Sequence, residues 1–223
     1  MRAREDCCLC SQIAGHSSND LIAHMLGTGQ YVRRVPIEDA RFAVVPSLGP
    51  LVDGHVILCP RRHYRSLALL PSALDPDFAA AKAVATSALG RAYGKPVHYF
   101  EHGSARDGGR VLCTVAHAHL HLVPADLKLW PLNGDPSVVW RPIDRRMEDL
   151  RREAGAAEYL YYESPDGEAA VATSECGEFQ SQYMRKLFAE ALGRPTAWNW
   201  RSNPDPHRAD ATFRLLRMTS SAA

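Results

Sequence analysis

The 223-residue chain lacks any charge excess: 26 Lys and Arg stand against 25 Asp and Glu, a formal +1. A field that weak draws the protein neither to a nucleic-acid backbone nor to an anionic membrane, so any phosphate binding has to be local. Long apolar runs are missing as well. None approaches the roughly 18 residues that cross a bilayer. The polar start Met1-Arg-Ala-Arg-Glu-Asp lacks the apolar stretch of a signal peptide. There is no internal repeat and no low-complexity tract. These absences point to a cytoplasmic globular protein with no membrane partner and no nucleic-acid partner.

What is present is an ordinary share of core-forming residues, 46% hydrophobic by the broad count, enough for one good core plus an appendage. Six cysteines fall at 7, 8, 10, 59, 113 and 176. Three of them crowd into four positions, and in a reducing compartment such a cluster reads as half of a metal site rather than a disulfide framework. Cys59 and Cys113 read as small buried apolar residues.

The chain up to Pro124 reads as a compact α+β unit. Strands are expected at Tyr31-Val-Arg-Arg-Val, at Arg41-Phe-Ala-Val-Val and at His55-Val-Ile-Leu-Cys, the last bounded by Gly54 and Pro60. A helix is expected over 75–93, capped by Asp75, with Pro76 in its first turn and Gly94 to close it. Its apolar stripe is Phe78, Ala81, Ala85, Ala88, Leu89 and Ala92. Val97-His-Tyr-Phe-Glu is the next strand, and a last one runs from about Val115 to Val123. Beyond the break, Tyr159-Leu-Tyr-Tyr-Glu and Glu168-Ala-Ala-Val-Ala-Thr flank the turn Ser164-Pro-Asp-Gly, which predicts a hairpin. An amphipathic helix over 178–192 ends at Gly193 and Pro195.

The densest chemical signal is His117-Ala-His119-Leu-His121-Leu-Val123. Strand side chains alternate, so the three imidazoles share one face while Ala118, Leu120 and Leu122 face the core. At about 3.3 Å of rise per residue the outer two lie roughly 13 Å apart, too far to share one ion. Two chemistries stay open. A neighbouring pair can hold a metal for hydrolysis, or a neutral imidazole can attack phosphorus and split one displacement into two.

These residues resemble the histidine triad (HIT) superfamily of nucleotide hydrolases and transferases, whose motif has three histidines separated by single apolar residues and followed by two more. Gly54-His-Val-Ile-Leu-Cys-Pro-Arg-Arg-His63 is similar to the family's second signature, and Cys7-x-x-Cys10 is similar to its zinc-bearing branch. The resemblance covers roughly residues 7–124. It implies a HIT-like antiparallel sheet with helices over 1–126, followed by a C-terminal α/β appendage over 127–223, such as some larger bacterial members carry.

The resemblance further implies that His119 is the nucleophile on the α-phosphorus of a nucleotide. His121 then binds phosphate oxygens or helps the leaving group, and His55 supports the histidine network. It implies a structural zinc ion held by Cys7, Cys10, His63 and His117, with Cys8 as an alternative to Cys7. Thr114 falls where relatives contact phosphate, though it also suits an ordinary strand. Ser47 stands where relatives place an acidic or amide residue on the ribose hydroxyls. Arg106 and Arg110, on a long loop, can reach a polyphosphate or remain solvated charges. Gln180, Gln182, Arg185, Trp198, Trp200 and Arg201 are candidates for the far end of the substrate. The expected partner is a small nucleotide, the expected assembly a homodimer or a monomer. Other readings are a zinc-dependent metallohydrolase and a non-catalytic nucleotide-binding module.

Overall fold

The computed structural model describes residues 7–15, 21–27, 32–104, 115–129, 132, 135–144, 147–174 and 179–220. Its centre is one antiparallel sheet of eight strands: β1 (Ile37–Glu38), β2 (Phe42–Pro46), β3 (Val56–Pro60), β4 (Val97–Ser104), β5 (Leu120–Pro124), β6 (Arg141–Pro142), β7 (Glu158–Glu163) and β8 (Ala169–Ser174). Their order across the sheet is β1-β2-β3-β5-β4-β7-β8-β6. The expected α+β class, with helices on an antiparallel sheet, is what this architecture shows. The C-terminal hairpin β7–β8 is not a sheet of its own, because β7 pairs with β4 along Tyr99↔Glu163 to Ser104↔Glu158.

Alternation decides what each face meets. Phe42, Val44, Leu58, Leu120, Leu122 and Tyr161 turn to one side and pack with Ala85 and Leu89 of α3 (Asp75–Tyr93) and Leu150 of α4 (Met147–Ala154). The opposite face is covered twice. Leu9 and Ile13 of α1 (Cys8–Ala14) sit on Ala43, Val45, Ile57 and Cys59. Met184 and Phe188 of α5 (Tyr183–Ala191) sit on Phe100, Val123, Leu160 and Tyr162. β5 lies between β3 and β4, beneath the seam between these two covers, with His121 on it and His119 just ahead of it.

Two further helices, α2 (Leu21–Leu26) and α6 (Pro206–Ser220), complete the described residues. None of the helices is long and apolar enough to cross a membrane. The halves are stapled by buried or half-buried ion pairs: Lys82 with Glu163, Arg151 with Asp75, and Arg34 with Asp210 at 2.8 Å. Gly103 on β4 leaves room for the Tyr159 side chain of its β7 partner, since a β-carbon there would collide with that ring.

Three expectations need correction. Residues 32–35 form no strand; the first pairing segment is β1. The reason lies in the side chains, because Arg33 Nε donates to the Ile13 carbonyl at 2.9 Å and buried Arg34 reaches Asp210 on α6, so that stretch is tied to helices rather than to a ladder. The last strand starts at Leu120, not Val115. Ala118 N–H goes instead to the Tyr64 carbonyl at 2.6 Å and His119 N–H to the Glu101 carboxylate at 3.3 Å. The helix expected over 178–192 starts at Tyr183, because Gln182 has a left-handed backbone, φ 60°. The helix over 75–93 matches α3, although Leu74 takes the capping position and Asp75 serves Arg151.

Candidate functional site

Where α1 and α5 part, a pocket opens over β5. Leu9, Leu21, Ile22 and Ile57 line one end, His102, Gln182 and Arg185 the other, and His119 and His121 lie between them. Ser47, in the loop after β2, lines the same pocket and is 6% exposed. Thus His119, His121 and Ser47 meet in one cavity. Thr114, Arg106 and Arg110 lie outside the described residues.

The hydrogen bonds assign the proton on each ring. His119 Nδ1 is 2.6 Å from the His117 carbonyl, which can only accept, so the proton sits on Nδ1 and Nε2 keeps its lone pair. Leu51 N–H donates to His55 Nδ1 at 3.1 Å, so His55 carries its proton on Nε2 and donates it to His121 Nδ1 at 2.8 Å. His121 is left with an Nε2–H. Its ring is held by stacking on Phe100, with centroids 4.3 Å apart and planes at 16°. The result is a paired arrangement of a bare nitrogen on His119 and an N–H on His121, with ring centroids 5.0 Å apart.

Burial keeps these rings neutral. It pushes His55 and His121 well below the usual imidazole value, with the nearby His119 ring and the Arg185 guanidinium adding to the effect. His119 is lowered by the same burial, partly opposed by its bond to the His117 carbonyl. Beneath the strand, on the core face, the Glu101 carboxylate accepts from Leu67 N–H, from Tyr159 O–H and from His119 N–H, and burial raises it to about 7. Glu101 therefore fixes the backbone that carries His119.

His117 turns away from the pocket. Its Nε2–H donates to the Pro60 carbonyl at 2.8 Å, leaving Nδ1 bare and facing Cys7 Sγ at 3.5 Å and Cys10 Sγ at 3.4 Å. His63 Nδ1 is 3.4 Å from Cys10 Sγ. All four donor atoms lie within 4.8 Å of one another. Tetrahedral bonds of about 2.3 Å to sulfur and 2.0 Å to nitrogen put neighbouring donors about 3.5 Å apart. The four residues therefore fit a closed metal site, and the cluster contains neither His119 nor Cys8. Cys8 instead lines the pocket, and burial raises its thiol pKa.

Sequence reasoning did not find Glu101, nor the buried pair in which His102 Nε2 meets Glu158 at 2.5 Å beside the pocket. The signal for Glu101 was there: in the strand Val97–Glu101 the carboxylate falls on the apolar phase with Val97 and Tyr99. Nothing local marks His102 and Glu158 as partners, because 56 residues separate them. The candidates Gln182, Arg185 and Trp200 do reach the pocket; Gln180, Trp198 and Arg201 do not line it.

Over 119 residues the chain is 28% identical to an uncharacterized HIT-like protein of Mycobacterium tuberculosis, an alignment that spans 53% of this chain and 76% of that protein. A second strain's protein matches equally. Among solved structures, a hypothetical histidine triad nucleotide-binding protein from Sulfolobus tokodaii aligns over 90% of this chain and 91% of its own, at 12% identity and a TM-score of 0.43. A HIT family hydrolase from Clostridium thermocellum aligns over 60% and 98%, at 15% identity and a TM-score of 0.38. No family profile matches the chain.

Proposed function

We propose that this chain, similar to histidine triad proteins in its motif and in its curated relatives, is a nucleotidyl hydrolase or transferase working through a covalent histidine intermediate. One observation carries the reading: His119 offers a bare Nε2 to the pocket because its other nitrogen is committed to the His117 carbonyl. The Nε2 lone pair forms a bond to the α-phosphorus while the bond from phosphorus to the leaving group breaks. The departing electron pair leaves with that group, whose developing charge accepts a hydrogen bond from His121 Nε2–H and which takes up a proton from solvent. In the second half an acceptor, water or phosphate, attacks phosphorus and loses its proton to solvent, and the electron pair of the phosphorus–nitrogen bond returns to His119.

The Leu51 amide and the His55 ring fix the tautomer of His121, so that its Nε2–H, and not a lone pair, faces the leaving group. The apolar end of the pocket suits a base, with Ser47 near the ribose. A buried Gln12 amide nitrogen has no partner among the described residues and faces the same end. Thr114, Arg106 and Arg110 are assigned to phosphate contact. Cys7, Cys10, His63 and His117 would hold a structural zinc ion, whose chemistry here is to pin the N-terminal segment to the strand bearing the nucleophile. The catalytic part, 1–126, and the extension, 127–223, then divide by role within one sheet. A metallohydrolase built on His117 and His119 would need both on one ion, whereas His117 Nδ1 faces Cys7 and Cys10 and His119 lines the pocket.

The test is a trapped adduct. Rapid mixing with a nucleotide labelled at the α-phosphate, quenched in alkali because phosphoramidates hydrolyse in acid, leaves label on the peptide bearing His119. Turnover without any label on that peptide would remove the covalent step, and saturable nucleotide binding without product would make the chain a binding module.

The acidity of the site gives a second expected result. Protonating His121 adds a positive charge that burial opposes most and that His119, His55 and Arg185, the groups facing it, oppose further. Lowering the pH through 6.5 therefore leaves the ring neutral, and with His119 lowered by its own burial the acid limb of kcat/KM falls below 6.5. A limb centred at 6.5 or higher would contradict the neutral pair.

A further inference from the structure

The pocket has two chemically distinct ends, and the sheet order says which is which. From β5, one direction leads to β3 and β2 and to the apolar wall of Leu9, Ile22 and Ile57; the other leads to β4 and to α5. With the nucleoside on the apolar side of His119, the leaving group departs toward His102, Gln182 and Arg185. Those last two belong to the segment beyond the hairpin. That segment is docked tightly: Arg185 donates to the carbonyls of Gly49 and Trp198, at 2.5 and 2.7 Å, and a β-carbon on Gly49 would lie 2.5 Å from Trp200.

Gln182 is the anomaly of this wall. It is the one non-glycine residue with a left-handed backbone among the described residues, φ 60°. It is 8% exposed, lines the pocket, and its side-chain Oε1 has no hydrogen-bond partner among the described residues. A buried carbonyl without a donor is unfavourable, and so is a side chain in that backbone region. Both are found at sites where a ligand supplies the missing partner. Here the partner has to be a donor, an N–H or an O–H, on the leaving-group side.

We propose that Gln182 is a specificity-determining residue, its side-chain carbonyl accepting a hydrogen bond from an N–H or O–H on the leaving group. The preferred leaving groups then carry such a donor close to phosphorus, as an amine or a polyol does. A bare polyphosphate chain presents acceptors only and leaves Oε1 unmet. This inference rests on the nucleotidyl-transfer reading above and adds the chemistry of the departing half.

The experiment compares kcat/KM for the wild-type chain, Gln182→Met and Gln182→Asn on three adenosine substrates: a 5′-phosphoramidate, a nucleotide sugar and a dinucleoside polyphosphate. Methionine keeps the length and removes the acceptor. Asparagine tolerates the left-handed backbone and draws the carbonyl back by one methylene, so it serves if the methionine variant does not fold. The wild type is expected to favour a donor-bearing substrate over the polyphosphate by about 10-fold or more. In both variants that ratio collapses toward one, and whether the amide or the sugar arm changes identifies the donor. A preference that survives both substitutions overturns the role of Gln182 while leaving the transfer chemistry intact. A folded wild-type chain that forms no adduct with any of the three overturns the transfer reading itself.

Discussion

Replacing His119 by asparagine is expected to lower kcat/KM by at least about 10⁴-fold, the scale on which enzymes lose activity when a covalent nucleophile is removed. The reasoning is specific to this ring. Its Nδ1–H is fixed on the His117 carbonyl and its own backbone N–H on Glu101, so Nε2 is held in one place with its lone pair exposed. An asparagine amide can still donate to the His117 carbonyl and fits in the pocket, so the fold survives and the loss is chemical. Thermal unfolding and nucleotide binding should change little. Steady-state kinetics within 10-fold of the wild type would show that another group attacks phosphorus.

Loss of the thiolate at position 10 is expected to have the largest effect on stability. Cys10 is 3% exposed and its sulfur lies between the rings of His63 and His117. Elemental analysis should find one zinc ion per chain, and Cys10→Ser or exhaustive chelation should remove it. Closed zinc sites contribute well above 3 kcal/mol to the small domains they hold. A loss of about 3 kcal/mol, at ~2–4 °C per kcal/mol for a chain of this size, lowers Tm by about 6–12 °C. Leu9 and Gln12 ride on α1, so loosening it should raise KM before it lowers kcat. A metal-free chain with unchanged Tm and KM would mean that the four residues hold nothing.

Much of this arrangement is legible in the sequence because its signals are local. The Asp-Pro start and Gly94 end frame α3, and the alternation from Ala118 to Val123 puts the right residues on each face. α6 carries a local signal too: Asp205-Pro206 has the same punctuation, and the Asp205 side chain caps the Arg208 N–H at 2.9 Å. What could not be read is long-range. Arg34 looks like strand surface until Asp210 is folded against it, 176 residues away. Periodicity extends the histidine strand to Val115, but the ties of Ala118 to Tyr64 and His117 to the cysteines lift that stretch out of the ladder. Gln182 reads as a helix residue, and its left-handed φ of 60° shows only in the folded chain.

The pocket draws its walls from residues as far apart as Leu9 and Trp200, with His119 between them in the chain. During synthesis the stretch with His119 therefore leaves the ribosome long before the segment that encloses it. Domains fold from the N-terminus as they emerge, so an unfinished chain can assemble the cysteine–histidine cluster yet still leave His119 open to bulk water. The pocket therefore closes only once the segment through Trp200 has docked beside His119.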